Sequence, residues 1–346
     1  ALEGVAFFTE AIFLGIYLYG WQRVAPRLHL AAGVIVAISG VSSAAIVTLV
    51  NAWMQHPRGF TVDPATGEWL DLDPAAALLN PYAVHELLRS LPAYYMAAAL
   101  TAAGVHAYAL LRAPGSGFHR KALGIALTVA APAALVMPVT GNLAGQRVAE
   151  MQPMKLAAME SQFETERGAP LRLGGIPDEQ ARRTDYAIEI PGGLSFLATN
   201  RFDGLVLGLE EFPEEDWPNP IVHFAFQGMV AIGTGLAALM AWAGIVRLRR
   251  KAWPEGPWFL KALVPAGPLA FLALEAGWVV AEVGRQPWVA YGVLRTNDTA
   301  TPMPGMIVPF LTFTFVYIGL AAAVAFVLRR IFGHSPGMEP TAGARP

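Results

Sequence analysis

The sequence predicts an all-α, polytopic membrane protein: a bundle of seven transmembrane helices with one long extracytoplasmic loop. Three observations carry that prediction. Of 346 residues, 55% are hydrophobic and 14% charged, against roughly a quarter charged in a soluble domain. Seven apolar stretches reach the ~20 residues that a helix needs to cross about 30 Å of hydrocarbon. The short alternating segments of a membrane barrel do not occur.

In chain order the predicted spans are 3–22, 30–52, 90–112, 122–142, 221–246, 259–283 and 305–328. They divide the chain into four helices over 1–142, a loop over 143–220, three helices over 221–332 and a tail over 333–346. Basic residues fall on alternate connections: Arg23 and Arg27, then Arg112, Arg120 and Lys121, then Arg247, Arg249, Arg250 and Lys251, then Arg329 and Arg330. The positive-inside tendency makes those connections and the C-terminus cytoplasmic, and puts the loop on the far side. Ala1 already lies in an apolar stretch, with neither a start methionine nor a signal peptide before it, so a truncated N-terminus is expected.

Composition also excludes functions. The chain has no cysteine, which removes disulfides, thiolate metal sites, iron–sulfur clusters and thiolate-ligated haem. A formal charge of −2 and the lack of a basic stripe with interleaved aromatics give no support to nucleic acid binding.

The 143–220 segment is longer than a bundle connection needs, and loops of that length are usually functional or disordered. It mixes Met151, Leu156, Phe163, Ile176 and Phe196 with charges and glycines, which predicts an ordered lid. Its opening K-L-A-A-M-E favours helix, and Lys155 and Glu160 then point about 140° apart. They are placed to flank a small polar ligand better than to pair with each other. The methionines around them, Met151, Met154 and Met159, read as gap fillers.

Ionisable residues at membrane depth are costly and mark function. Glu3 and Glu10 share one face of the first span. Glu275, Trp278, Glu282 and Arg285 form a stripe about 80° wide on the sixth. Such groups can bind a metal or an anion, or relay protons.

These motifs resemble subunit I of the cytochrome bd-type quinol oxidases of bacterial membranes. The matching stretches are G-W-Q-R at 20–23, N-A-W-M-Q at 51–55, N-P at 80–81, K-L-A-A-M-E at 155–160, F-Q-G-M-V at 226–230 and E-A-G-W-V-V-A-E-V-G-R-Q-P-W at 275–288. They occur in the family's order over nearly the whole chain, and the seven spans correspond to the third through ninth of the family's nine. The resemblance implies that Glu282 is the axial carboxylate of the high-spin haem b595, with Trp278 and Arg285 against that haem. It implies that Glu3 and Glu10 pass protons to oxygen near haem d, whose histidine ligand would precede this sequence. Met229 would ligate haem b558, and Lys155 and Glu160 would bind quinol. A second helical subunit, subunit II, is the implied partner, and dioxygen the implied acceptor.

Three departures accompany the resemblance. The family's second haem b558 ligand is a histidine where this chain has Arg89, and an arginine cannot ligate iron. His85, one turn earlier, is the first replacement to consider, followed by His106 and His223. Gln227 stands where the family usually has arginine. Glu3 and Glu10 are seven residues apart, one fewer than expected. The leading expectation is a subunit that oxidises quinol at the loop and reduces dioxygen to water at buried haems. The alternative is a divergent relative that keeps the scaffold for electron transfer or structure. A transporter would show broken helices in two repeated halves, and none is apparent.

Overall fold

The computed structural model describes residues 2–333, with side chains for 3–330; the predicted tail from 334 onward lies outside them. The long helices are α1 (Leu2–Tyr19), α2 (Pro26–Gln55), α4 (Pro81–Arg112), α5 (Gly117–Met151), α8 (Ile221–Arg250), α9 (Pro257–Val283) and α11 (Ile307–Gly333). Short helices α3 (Pro74–Leu78), α6 (Pro153–Glu160), α7 (Gly193–Thr199) and α10 (Thr296–Thr299) lie in the connections. Among the described residues, six helices are long and apolar enough to cross a membrane: α2, α4, α5, α8, α9 and most of α11. α1, the remaining predicted span, is apolar along its 18 residues and packs on α2.

Local chemistry sets where the helices start. Asn80 caps α4 by accepting from the Ala83 N–H, with Pro81 in the first turn, where its missing N–H costs nothing. This places the start of α4 at Pro81 rather than at the predicted 90, and brings Tyr82, His85, Glu86 and Arg89 onto the helix. Ser116 caps α5 in the same way, through the His119 N–H. α5 also runs on to Met151, beyond the predicted end at 142, so its last turns rise into the loop.

α4 is central, packed against α5, α9 and α2. Small residues allow the close approach, as membrane helices require. A Cβ built on Gly267 of α9 would meet the Thr101 backbone Cα of α4 at 2.6 Å, and one on Gly104 the Leu263 carbonyl oxygen at 2.9 Å. Leu100, Leu127, Met240, Phe259 and Leu263 fill the space between. α11 leaves its apolar surface uncovered.

The 152–220 segment is ordered, as the sequence predicts. Three two-stranded antiparallel pairs, 166–167 with 205–206, 171–173 with 188–190 and 176–178 with 183–185, join α6 and α7. Leu156, Phe163, Leu194 and Leu209 form its core, which continues into Val148, Val222 and Val280 of α5, α8 and α9. Leu156 and Phe163 are therefore interior as expected, whereas Ile176 and Phe196 are 55% and 42% exposed. His223 of α8 ties the segment down. Its ring nitrogens lie 2.9 Å from the Met159 carbonyl and 3.2 Å from that of Gly174.

Candidate functional site

A cavity of about 430 Å³ opens where the folded loop meets α4, α5, α8 and α9. Its walls combine apolar side chains such as Met137, Leu194, Phe226 and Val280 with a polar group made of Lys155, Glu160, Glu86, Arg89, Gln55 and Arg172. An apolar enclosure with a few convergent polar groups is the usual form of a small-molecule site.

Lys155 and Glu160, predicted to flank a ligand, both border this cavity from α6, and both are buried. Lys155 Nζ donates to Gln55 Oε1 at 2.5 Å and to the Ala281 carbonyl at 3.3 Å. Burial, with Arg285 near, pushes its ammonium down to about 7. Glu160 has one oxygen, Oε2, buried with no partner. Burial raises this carboxyl to about 8, although Arg172 pulls the other way. The site therefore holds a carboxyl and an amine whose charged forms are both expensive, so a ligand hydroxyl between them, donating to the carboxylate and accepting from the ammonium, relieves both costs.

From Lys155 a hydrogen-bond chain runs into the bundle. Gln55 Nε2 contacts Asn51 Oδ1 at 3.4 Å and the Ala281 carbonyl at 3.1 Å. Asn51 Nδ2 donates to Glu282 Oε1, and Arg285 Nη2 to Glu282 Oε2 at 2.6 Å. The two predicted sites, Lys155 on the loop and Glu282 on α9, are thus ends of one network through α2. Arg285 is not on the helical stripe expected for it. α9 ends at Val283, Gly284 breaks the helix, and the chain turns Arg285 back onto Glu282, where its side chain is 3% exposed. Trp278 lies one turn before Glu282 on α9 and is partly buried.

Glu282 suits an iron. Its carboxylate supplies oxygen donors, two neighbours orient it, and its side chain is still 39% exposed, leaving a face for a flat group. Met229 differs. Arg89 Nη2 donates to Met229 Sδ at 2.8 Å across the cavity, where the resemblance implies a haem. The predicted replacement His85 borders the same cavity, with its ring edge-on to Tyr82 at 4.3 Å. His223 is engaged by two carbonyls, and His106 pairs with His119, Nδ1 to Nδ1 at 3.0 Å, toward the opposite end of α4.

Glu3 and Glu10 lie apart from this cavity, on α1. The Glu10 carboxylate faces Gly40 of α2, where a built Cβ would come within 3.8 Å of both oxygens. Glu275 is exposed on the outer side of α9.

Sequence reading missed Gln55, Asn51 and Glu86 as site residues. Two amides four apart on one face of an apolar helix were the available signal for the first two, and the cost of an ionisable group in a span was the signal for Glu86.

A family model described as "Cytochrome bd terminal oxidase subunit I" matches residues 1–336. A putative cytochrome bd menaquinol oxidase subunit I of Bacillus subtilis (strain 168) is 39% identical over 346 residues, covering 97% of this chain and 76% of that protein. Cytochrome bd-II ubiquinol oxidase subunit 1 of Escherichia coli (strain K12) is 27% identical over 366 residues, covering 86% and 71%. The solved structure of bd oxidase from Geobacillus thermodenitrificans superposes with a TM-score of 0.88 at 39% identity, over 97% of this chain and 77% of that one.

Proposed function

The chain belongs to the cytochrome bd terminal oxidase subunit I family, a multi-pass membrane subunit of a respiratory quinol oxidase, and from that premise we propose that it oxidises quinol at the Lys155–Glu160 cavity. The observation that carries the reading is the buried Glu160 carboxyl, whose Oε2 has no partner, on a residue that lines the same cavity as Lys155. A quinol loses two protons and two electrons on becoming a quinone. Glu160 takes a hydroxyl proton as general base, and Lys155, held by Gln55, steadies the oxygen as negative charge develops.

Family members bind haem and pair with a second subunit, and Glu282, with Trp278 and Arg285 beside it, is the residue that would hold a haem iron here. A haem bound there supplies one-electron transfer. Asn51 and Arg285 fix the carboxylate, and the Lys155–Gln55–Asn51 chain keeps the quinol end in register with it. Glu3 and Glu10 then hold protons at the α1 face for the reduction of dioxygen to water, a reaction of four electrons and four protons. In this reading, subunit II covers part of the apolar exterior, the loop faces outward from the cytoplasm, and the assembly sits in the bacterial inner membrane.

The test is quinol-dependent oxygen uptake by the complex with subunit II. Glu160→Gln and Lys155→Met should lower turnover at least tenfold with haem content unchanged. Full activity in both variants would overturn the assignment. The second reading, an electron-transfer or structural relative without oxidase activity, is favoured by the Arg89–Met229 contact and predicts no oxygen uptake in the wild-type complex.

A further inference from the structure

We infer that His223 and Gln227 of α8 form a clamp that positions Glu160 and Arg172, so that the proton-accepting carboxyl of the loop is set in place from a membrane helix. The inference rests on the quinol reading above for the reaction, and on its own geometry for the clamp.

Residues 223 and 227 are four apart and share the face of α8 that meets the folded loop. His223 is fully buried. Its Nδ1 lies 2.9 Å from the Met159 carbonyl oxygen and its Nε2 3.2 Å from that of Gly174. Both carbonyls only accept, so the ring serves them in turn as a neutral imidazole and together as an imidazolium. Gln227 meets the same turn with both ends of its amide. Its Oε1 accepts from the Gly174 N–H at 3.1 Å, and its Nε2 donates to the Arg172 carbonyl at 2.8 Å. Gly174 and Gly175, at φ 68° and 99°, make the turn that presents these groups.

The consequence for the site is geometric. The Met159 carbonyl belongs to the planar peptide unit that leads into Glu160. It is also among the last carbonyls of α6, which a helix end leaves without an intrahelical partner. Holding it fixes the plane from which the Glu160 side chain departs. Gln227 holds the carbonyl of Arg172 in the same way, while the guanidinium reaches Gln162 Oε1 at 2.5 Å and Glu189 Oε1 at 3.0 Å. Arg172 lines the cavity and is the cation whose charge acts on Glu160. Two side chains of one helix thus set the backbone of both groups, and a base gives its full rate only from the right geometry.

Gln227 also gives a physical sense to one departure from the family. An arginine offers donors alone; it could serve the Arg172 carbonyl, but it would leave the Gly174 N–H facing a cation. Glutamine supplies the donor and the acceptor that this turn requires.

The experiment combines amide hydrogen exchange with quinol-dependent oxygen uptake on the two-subunit complex, for wild type, Gln227→Met, His223→Phe and His223→Gln. The first two variants keep the bulk and remove the polar contacts, and the third retains one donor. Exchange over residues 172–176 should quicken in Gln227→Met and His223→Phe. In both, kcat should fall by about tenfold with KM and haem content little changed, and His223→Gln should lie closer to wild type than His223→Phe. Gln227→Glu, which loses only the donor, supplies the same comparison if His223→Phe does not assemble. Unchanged exchange, or faster exchange with wild-type kcat, would overturn the inference. No uptake by the wild type, or full uptake by Glu160→Gln, sinks the quinol reading instead, and the exchange result then decides the clamp by itself.

Discussion

Glu160 shows how a single residue ties chemistry to folding. Its carboxyl sits at about 8 in the folded protein, above its ordinary 4.5, because burial disfavours the anion. The folded state therefore keeps a proton that the unfolded chain gives up. That contribution to stability is complete below about 4.5 and is lost as pH rises through about 8. Thermal unfolding of the detergent-solubilised complex should show the wild-type midpoint falling between about pH 5 and pH 8.5 by more than that of Glu160→Gln. An equal fall in both would mean that Glu160 is not the proton holder. The same group, acting as base, should give quinol kcat/KM a rising limb centred near pH 8 that is missing from Glu160→Gln. At Glu282 the controlling groups are neighbours. Asn51→Leu removes one of the two donors that orient the carboxylate, and loss of such support typically costs about 10–100-fold in metal-site affinity. Haem retained by this variant through mild detergent extraction should fall, while helicity by circular dichroism stays constant.

At the scale of elements, the bundle depends on how closely α4 and α9 approach. Gly267→Val would drive a side chain into the Thr101 backbone, which no rotamer avoids, at a cost of about 1–3 kcal/mol. The expected outcome is a lower midpoint of thermal aggregation, with a smaller effect from Gly228→Ala, where a built Cβ meets nothing within 4 Å. The sequence made this bundle legible because membrane spans are announced by length and apolarity alone. The start of α4 was harder to read. Arg89, Glu86 and His85 look like loop residues when charge is the criterion, yet an asparagine cap and a first-turn proline carry the helix over them. The cost of misplacing that start was Glu86. Lys155, Glu160 and Glu282 could be named from motifs, but their connection through Gln55 and Asn51 depends on α2 and α9 lying side by side, which no local pattern encodes. Arg285 was placed on the wrong element for a similar reason: helical periodicity continues on paper past the glycine that stops the helix.

For the molecule as a whole, the open property is which side of the membrane each connection occupies, and charge makes a definite prediction. Arginines 247, 249 and 250 crowd the end of α8, while the 152–220 segment carries the Lys155–Glu160 cavity at the other end of that helix. The bias in arginine and lysine puts the first group in the cytoplasm and the quinol site outside it. The lack of cysteine in this sequence makes this directly measurable, because any thiol introduced here is the only one in residues 1–346. Gln180→Cys lies in the loop beside exposed Asp178 contacts, and Ala252→Cys in the α8–α9 connection. A membrane-impermeant maleimide added to intact spheroplasts should label the first, and should label the second only after permeabilisation. The reverse pattern would invert the bundle and place quinol oxidation on the cytoplasmic face. Protons released from quinol would then appear in the cytoplasm. The labelling result therefore decides an energetic question as well as a topological one.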